Sequence, residues 1–155
     1  MKHIEVHQLP EEIQGDIKLA FEQIPRAFPK ACTTKVGAVL TAADGQKFTG
    51  ANIRRRATSN STCAERMVFD KALNSGVSQL QRLVIIGVNE LDPFVEIGIS
   101  PCGSCRQIMI DALTELFQQD LEIVIVNESQ TKALVTSVQE LMPISYNHAQ
   151  SVVKS

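Results

Sequence analysis

Apolar residues fall along this chain at alternating helical and strand spacings. Between Pro10 and Phe28, Ile13, Ile17, Leu19, Ala20, Phe21 and Ile24 recur at roughly helical intervals, which predicts an amphipathic helix. Val36-Gly-Ala-Val-Leu40 is a short apolar run, Asp44-Gly45 is a turn signal, and Phe48 to Ile53 reads as a second strand, so a hairpin is expected. Cys63 to Asn74 reads as a helix with Gly76 as its stop. Leu83-Val-Ile-Ile-Gly-Val88 is apolar throughout, the pattern of a strand covered on both faces. Pro101 precedes another helical stretch reaching Phe117, Glu122 to Asn127 reads as a further buried strand, and Val138 to Met142 as a short last helix. The order helix, hairpin, helix, strand, helix, strand predicts an α/β fold with helices on both faces of a mixed sheet. No repeat, linker or low-complexity stretch interrupts residues 1–155, which are expected to form one domain.

Composition narrows the function classes. Hydrophobic residues make up 44% and charged residues 21%, enough for a packed core. The net charge of −2 argues against a nucleic-acid partner, which requires a basic face to neutralise phosphates. No apolar run approaches the roughly 18 residues of a membrane span, and the start, MKHIEVHQLPEE, has no secretory apolar core. A cytoplasmic protein without a membrane partner is expected. There the four cysteines stay reduced, and closely spaced ones point to metal binding or catalysis.

Three of those cysteines open predicted helices. Cys63 stands in Thr62-Cys-Ala-Glu65, and Cys102 and Cys105 stand in Pro101-Cys-Gly-Ser-Cys105. Residues three apart at a helix start share a face, so two sulfurs can hold one ion. Helix N-termini also favour the thiolates that a metal needs. Three protein ligands leave a fourth zinc position for water, the pattern of a catalytic rather than a structural site. Glu65 lies too near Cys63 in sequence to complete the tetrahedron. It is placed instead to take a proton from the attacking water and pass it to a ring nitrogen and departing ammonia. Three thiolates around a divalent ion leave a net negative centre, and Arg66 and Arg106 are candidates to offset it.

Other readings stay open on the residues alone. Cys102 and Cys105 could form a redox pair, or Cys32 could close a structural zinc site. Arg66 could be an ordinary surface arginine. His3, His7 and His148 lie near the termini and read as solvated.

At these residues the chain resembles the small three-cysteine cytidine deaminases. The matching blocks are Val36-Gly-Ala38, Asp44-Gly45, Gly50-Ala-Asn-Ile53, Cys63-Ala-Glu-Arg66, Ser100-Pro-Cys-Gly-Ser-Cys-Arg-Gln107 and Gln139-Glu-Leu-Met-Pro143. The resemblance implies a three-layer α-β-α fold on a roughly five-stranded mixed sheet, and one zinc ion per chain on Cys63, Cys102 and Cys105. It further implies Glu65 as proton shuttle, a ring lined by backbone around Ala64, Ser100 and Cys102, and a homotetramer that acts on a small molecule. Two positions depart from the family pattern. Its Asn-Ile-Glu, whose ends bind ribose, reads Asn52-Ile-Arg54 here, followed by Arg55 and Arg56, and its Phe two residues before Val-Gly-Ala is Thr34. Asn52 carries over as a substrate contact. Arg54 exchanges an acceptor for a charged donor and reads either as a pocket residue or as part of a solvated loop. Arg55 and Arg56 read as surface or subunit contacts. The expected activity is hydrolytic deamination of a cytidine-like nucleoside. The alternatives are a different aminated ring, one bearing an acidic group or blasticidin-like, and a non-catalytic zinc domain.

Overall fold

In the computed structural model, which describes residues 1–93 and 96–146, six strands pair into one sheet. The strands are β1 (Lys2–Glu5), β2 (Thr34–Ala42), β3 (Lys47–Ala51), β4 (Leu80–Asn89), β5 (Glu122–Val126) and β6 (Lys132–Ser137). Their spatial order is β1-β6-β5-β4-β2-β3, with β4 and β5 parallel and every other pair antiparallel. The helices are α1 (Glu11–Phe21), α2 (Ala64–Ser75), α3 (Gly103–Ala112) and the single turn α4 (Val138–Leu141).

Strand alternation sorts the core into two layers. On one face Ala38, Leu40, Leu83, Ile85, Ile123 and Ile125 meet Val68 and Phe69 of α2 and Met109 of α3. On the other, Val39, Val84, Ile86, Val124 and Val126 meet Ile13, Ile17 and Ala20 of α1. The central strands are therefore apolar throughout Val36–Leu40, Leu83–Val88 and Ile123–Val126, which is why these stretches read as unbroken hydrophobic runs. Gly76, at φ 78, ends α2 in the left-handed conformation that glycine adopts at no steric cost.

The three-layer α/β expectation holds, with six strands where roughly five were implied. The two strands that the residue pattern did not announce, β1 and β6, are neighbours at one side of the sheet. β1 exposes three of its four residues and exists because it pairs with β6. The first helix ends at Phe21 rather than Phe28, because Pro25 has no N–H to continue the ladder and the chain closes in a 3₁₀ turn, Ile24–Arg26. The third helix stops at Ala112 and widens into a π turn, Leu113–Phe117. His3 and His7 are exposed, and His148 lies outside the described residues.

α1 is locked to the sheet by a buried ionic knot. Asp16, fully buried, accepts from Lys47 Nζ at 2.6 Å, Thr41 Oγ1 at 3.1 Å and Arg82 at 3.2 Å. Arg82, itself buried, also reaches Glu12 at 2.9 Å. Breaking a buried pair strands a charge away from water, whereas a partly exposed partner is replaceable by solvent. Arg82→Met should therefore lower unfolding free energy by about 3 kcal/mol, and Lys47→Met by no more than about 1 kcal/mol. Urea unfolding followed by circular dichroism measures both, and equal losses would show that the knot does not depend on Arg82.

Candidate metal centre and active-site cleft

Two helices begin at the same place. Cys63 is the N-cap of α2 and Cys102 the N-cap of α3, both in extended backbone and neither making a side-chain cap bond. An N-cap serine or aspartate would turn its oxygen back onto the helix, a contribution of about 1 kcal/mol. Here the sulfurs are left free to face each other, and Cys105 joins them from the first turn of α3. The three Sγ atoms lie within 4.8 Å of one another. Sulfurs bound to one tetrahedral zinc stand about 3.8 Å apart, since Zn–S bonds are about 2.3 Å, so a closure of an ångström or less completes the site. Among the described residues no further His, Cys, Asp or Glu belongs to this group.

The sulfurs are electrically unequal. A hydrogen bond from Cys105 is the main cause that lowers the Cys63 thiol to about 6; burial opposes it, and Cys102 and the Arg66 charge assist. The same bond, with burial, pushes the Cys105 thiol upward. Without metal, the Cys63 and Cys105 thiols thus share a proton between them, with Cys63 the more acidic. Metal binding must release that proton.

Glu65 sits in the first turn of α2 and is 6% exposed. Burial raises its carboxyl to about 7, helped by the Cys63 charge and opposed by its own backbone N–H and by Arg66. A carboxyl balanced near neutrality can both accept and return a proton. Arg66 donates to Ser104 Oγ at 3.1 Å, across the gap between α2 and α3, while its buried Nε–H has no partner. That orphaned donor, next to Cys63 in charge terms, is what an anionic sulfur cluster requires. Arg106 makes three other bonds, to Pro101 O at 2.8 Å, Leu141 O at 2.8 Å and Ser100 Oγ at 2.7 Å, and so ties the start of α3 to α4.

A cleft of about 310 Å³ opens over the cluster. Cys63, Ala64, Glu65, Ser100 and Cys102 form its floor; Asn52 and Arg54 reach it from beyond β3. The Asn52 amide accepts from Val36 N at 2.8 Å and donates to Thr34 O at 3.2 Å, pinning the start of β2 that forms one wall. Thr34 lines this wall. The loop before α3 forms another: a Cβ on Gly98 would run into the Val126 carbonyl, so only glycine lets this loop lie against the end of β5 and present Ile99. Ile99, Thr58, Ser61 and Thr62 line the cleft and were not foreseen. Hydroxyls and a lone isoleucine in loops carry no periodic signal, and pairing of Ile53 with Thr62, with Arg55 bonded to Asn60 and Ser61, brings the hydroxyl-bearing segment in.

Cys32 does not close the metal site. It lines the cleft, its thiol donates to Thr34 O at 3.0 Å, and it stands outside the three-sulfur group. All four cysteines are free thiols.

The family profile described as the cytidine and deoxycytidylate deaminase zinc-binding region matches residues 11–117. A cytidine deaminase of Sporosarcina psychrophila is 37% identical over 101 residues, covering 65% of this chain and 68% of that protein. The blasticidin-S deaminase of Bacillus cereus is 25% identical over 142 residues, 90% of each chain. The crystal structure of a cytidine deaminase from Burkholderia pseudomallei superposes with a TM-score of 0.71 at 31% identity, covering 86% of this chain and 98% of that one.

A site built from three ligands has no redundancy. Cys63→Ser or Cys105→Ser should abolish stoichiometric zinc, whereas Cys32→Ser should retain about one zinc per chain. Elemental analysis of the purified proteins decides this, and zinc loss in Cys32→Ser would restore Cys32 as a ligand.

Proposed function

The chain belongs to the cytidine and deoxycytidylate deaminase family, and from this we propose that it removes the amino group of a cytidine-like nucleoside or a related aminated heterocycle by hydrolysis, with Glu65 as the proton shuttle. The observation that carries the reading is the buried Glu65 carboxyl, in the floor of the cleft beside three convergent sulfurs. A zinc site with a purely structural role has no use for it.

Water adds to the ring carbon bearing the exocyclic amine, the carbon–nitrogen bond breaks, and the products are a ring carbonyl and ammonia. When bound by Cys63, Cys102 and Cys105, zinc supplies the Lewis acidity that makes water a nucleophile at neutral pH. Glu65 takes a proton from that water on a carboxylate oxygen and delivers it to the ring nitrogen. It takes the second and hands it to the departing amine, so the carboxyl ends as it began. Arg66 withdraws charge from the sulfurs through its unpartnered Nε–H. Backbone around Ala64 and Ser100 seats the ring against Ile99 and Val36, which keep water from the far side.

The chain works as one domain, in the cytoplasm, as a homotetramer. No helix among the described residues is long and apolar enough to cross a membrane. Phe28, Leu116, Ile144 and Tyr146 are large apolar side chains left exposed on the single chain, which supports burial against further copies.

Glu65→Gln should keep zinc and thermal stability while ammonia release falls by at least about 10²-fold, the lower end of acid–base contributions. Activity within about threefold of wild type, on any aminated pyrimidine, purine, pterin or triazine that wild type accepts, would assign the protons to another group. Light scattering at micromolar concentration should give about four times the chain mass of 17.0 kDa. A monomer mass would contradict the tetramer.

A further inference from the structure

The end of the cleft away from the sulfurs is built from a different set of groups. Ile53 pairs with Phe28 on one side and Thr62 on the other. Its N–H donates to Thr62 O and the Thr62 N–H donates back to Ile53 O, both at 2.8 Å, while Arg54 N donates to Phe28 O at 2.7 Å. The backbone that carries Arg54 is thereby held from both sides. The antiparallel register that matches Ile53 with Thr62 sets Asn52 opposite Cys63 and Arg54 opposite Ser61. Arg54 is therefore displaced by two residues, about 7 Å along the strand, from the position facing the metal cluster.

The three consecutive arginines are used differently. Arg55 is committed to the loop: its guanidinium donates to Asn60 O at 2.7 Å and Thr62 Oγ1 at 3.5 Å, and its backbone N–H donates to Ser61 Oγ at 2.9 Å. Arg56 does not line the cleft. Arg54 does, and among the described residues its guanidinium has no hydrogen-bond or ion-pair partner. Three hydroxyls, those of Thr58, Ser61 and Thr62, line the same cavity. Because the Ser61 oxygen accepts from Arg55 N, its own proton is left to donate outward. Among the described residues, Glu65, at the other end, is the sole carboxylate lining this cleft, and Arg54 the sole cation.

We propose that the segment Arg54–Thr62 is an oxyanion-binding subsite, and that the substrate is an aminated ring carrying a carboxylate or phosphate about one sugar's width from the reacting carbon. This rests on the deaminase reading above and names the substrate class of that site. A guanidinium offers five donors and no acceptor, so a neutral sugar hydroxyl meets it with one lone pair at best. A carboxylate or phosphate takes two parallel N–H bonds from the fork and leaves further oxygens for the hydroxyls. A fixed backbone, a free cation and outward-facing hydroxyl protons are the parts such an anion requires. The pair is partly open to solvent, so its contribution must weaken with salt.

The test uses zinc-loaded Glu65→Gln protein for binding by calorimetry and zinc-loaded wild type for ammonia release. The probes are cytidine, cytidine 5′-monophosphate and the cytidine analogue with a carboxylate at the 5′ carbon. At least one anionic probe should bind at least about tenfold tighter than cytidine, as expected for a charge-assisted pair. The advantage should shrink severalfold at about 0.5 M salt. It should vanish in Arg54→Gln with zinc content and melting temperature unchanged, and fall in Thr58→Val. Whichever anionic probe leads identifies the phosphate or the carboxylate as the group recognised. If cytidine binds as tightly as both anionic probes, if neither anionic probe binds, or if Arg54→Gln leaves the preference intact, the subsite is overturned. Ammonia release from cytidine alone would then leave the deaminase reading standing. Arg54-dependent anion binding with no ammonia from any probe would keep the subsite and remove the deaminase reading.

Discussion

Three sulfur atoms meet within 4.8 Å because two helices start over the same edge of the sheet. The parallel pairing of β4 with β5 is what makes this possible. A parallel pair needs a crossover, and α3 is that crossover, so it begins beyond the end of β4 and runs back. α2 runs into the start of β4, so its own beginning lies towards the same end. Both N-termini bring free N–H groups and partial positive charge to one point, where thiolates are favoured. Each helix gives up its side-chain cap, and the ion that the sulfurs hold offsets that loss.

The same convergence sets the charge problem that the neighbouring residues solve. Three thiolates around a divalent ion leave a negative excess. Arg66 lies one turn into α2, reaches across to Ser104 of α3, and keeps its Nε–H unpaired in a buried position. An unpaired buried donor costs free energy unless something charged arrives to meet it. Glu65, on the same turn, is held near neutrality by burial set against Arg66 and a backbone N–H. On the proposed reading, one helical turn carries a ligand, a proton carrier and a compensating cation, and this explains why the block Cys63-Ala-Glu-Arg66 is so informative as sequence.

That block and the Pro101-Cys-Gly-Ser-Cys105 block were legible because helix starts obey local rules: the ligand spacing is set within one turn. The central strands were legible because burial on both faces leaves no polar position in Leu83–Val88 or Ile123–Val126. β1 was not, since Lys2-His-Ile-Glu5 has one half-buried residue and becomes a strand only by pairing with β6. The end of α1 was misplaced because Ile24 continues the apolar spacing while Pro25 ends the hydrogen-bond ladder. The cleft's far wall was hidden for a related reason. Thr58, Ser61 and Thr62 enter it through the backbone bonds between Ile53 and Thr62 and the bonds of Arg55 to Asn60 and Ser61, contacts between loops that no periodicity announces.

On the proposed reading, chemistry and selectivity occupy different ends of one cleft and depend on different kinds of structure. At the cluster end every group sits on a helix turn, and moving one displaces the rest. At the rim, Arg54 extends from a short bridged segment whose backbone is fixed by Phe28 and Thr62, and its side chain is tied to nothing among the described residues. Asn52, between the two ends, uses its amide to hold the backbone of Thr34 and Val36 in place, which fixes that wall without engaging the Thr34 side chain. Exchanging an acceptor for a guanidinium at the rim leaves the register of Asn52 with Cys63 untouched, so the reacting centre does not register the change. A fold arranged in this way can keep one reaction and alter what it acts on by two side chains, Arg54 and Thr34. Membership of the family accordingly speaks for the bond that is broken, and on the proposed reading the rim selects the molecule in which it is broken.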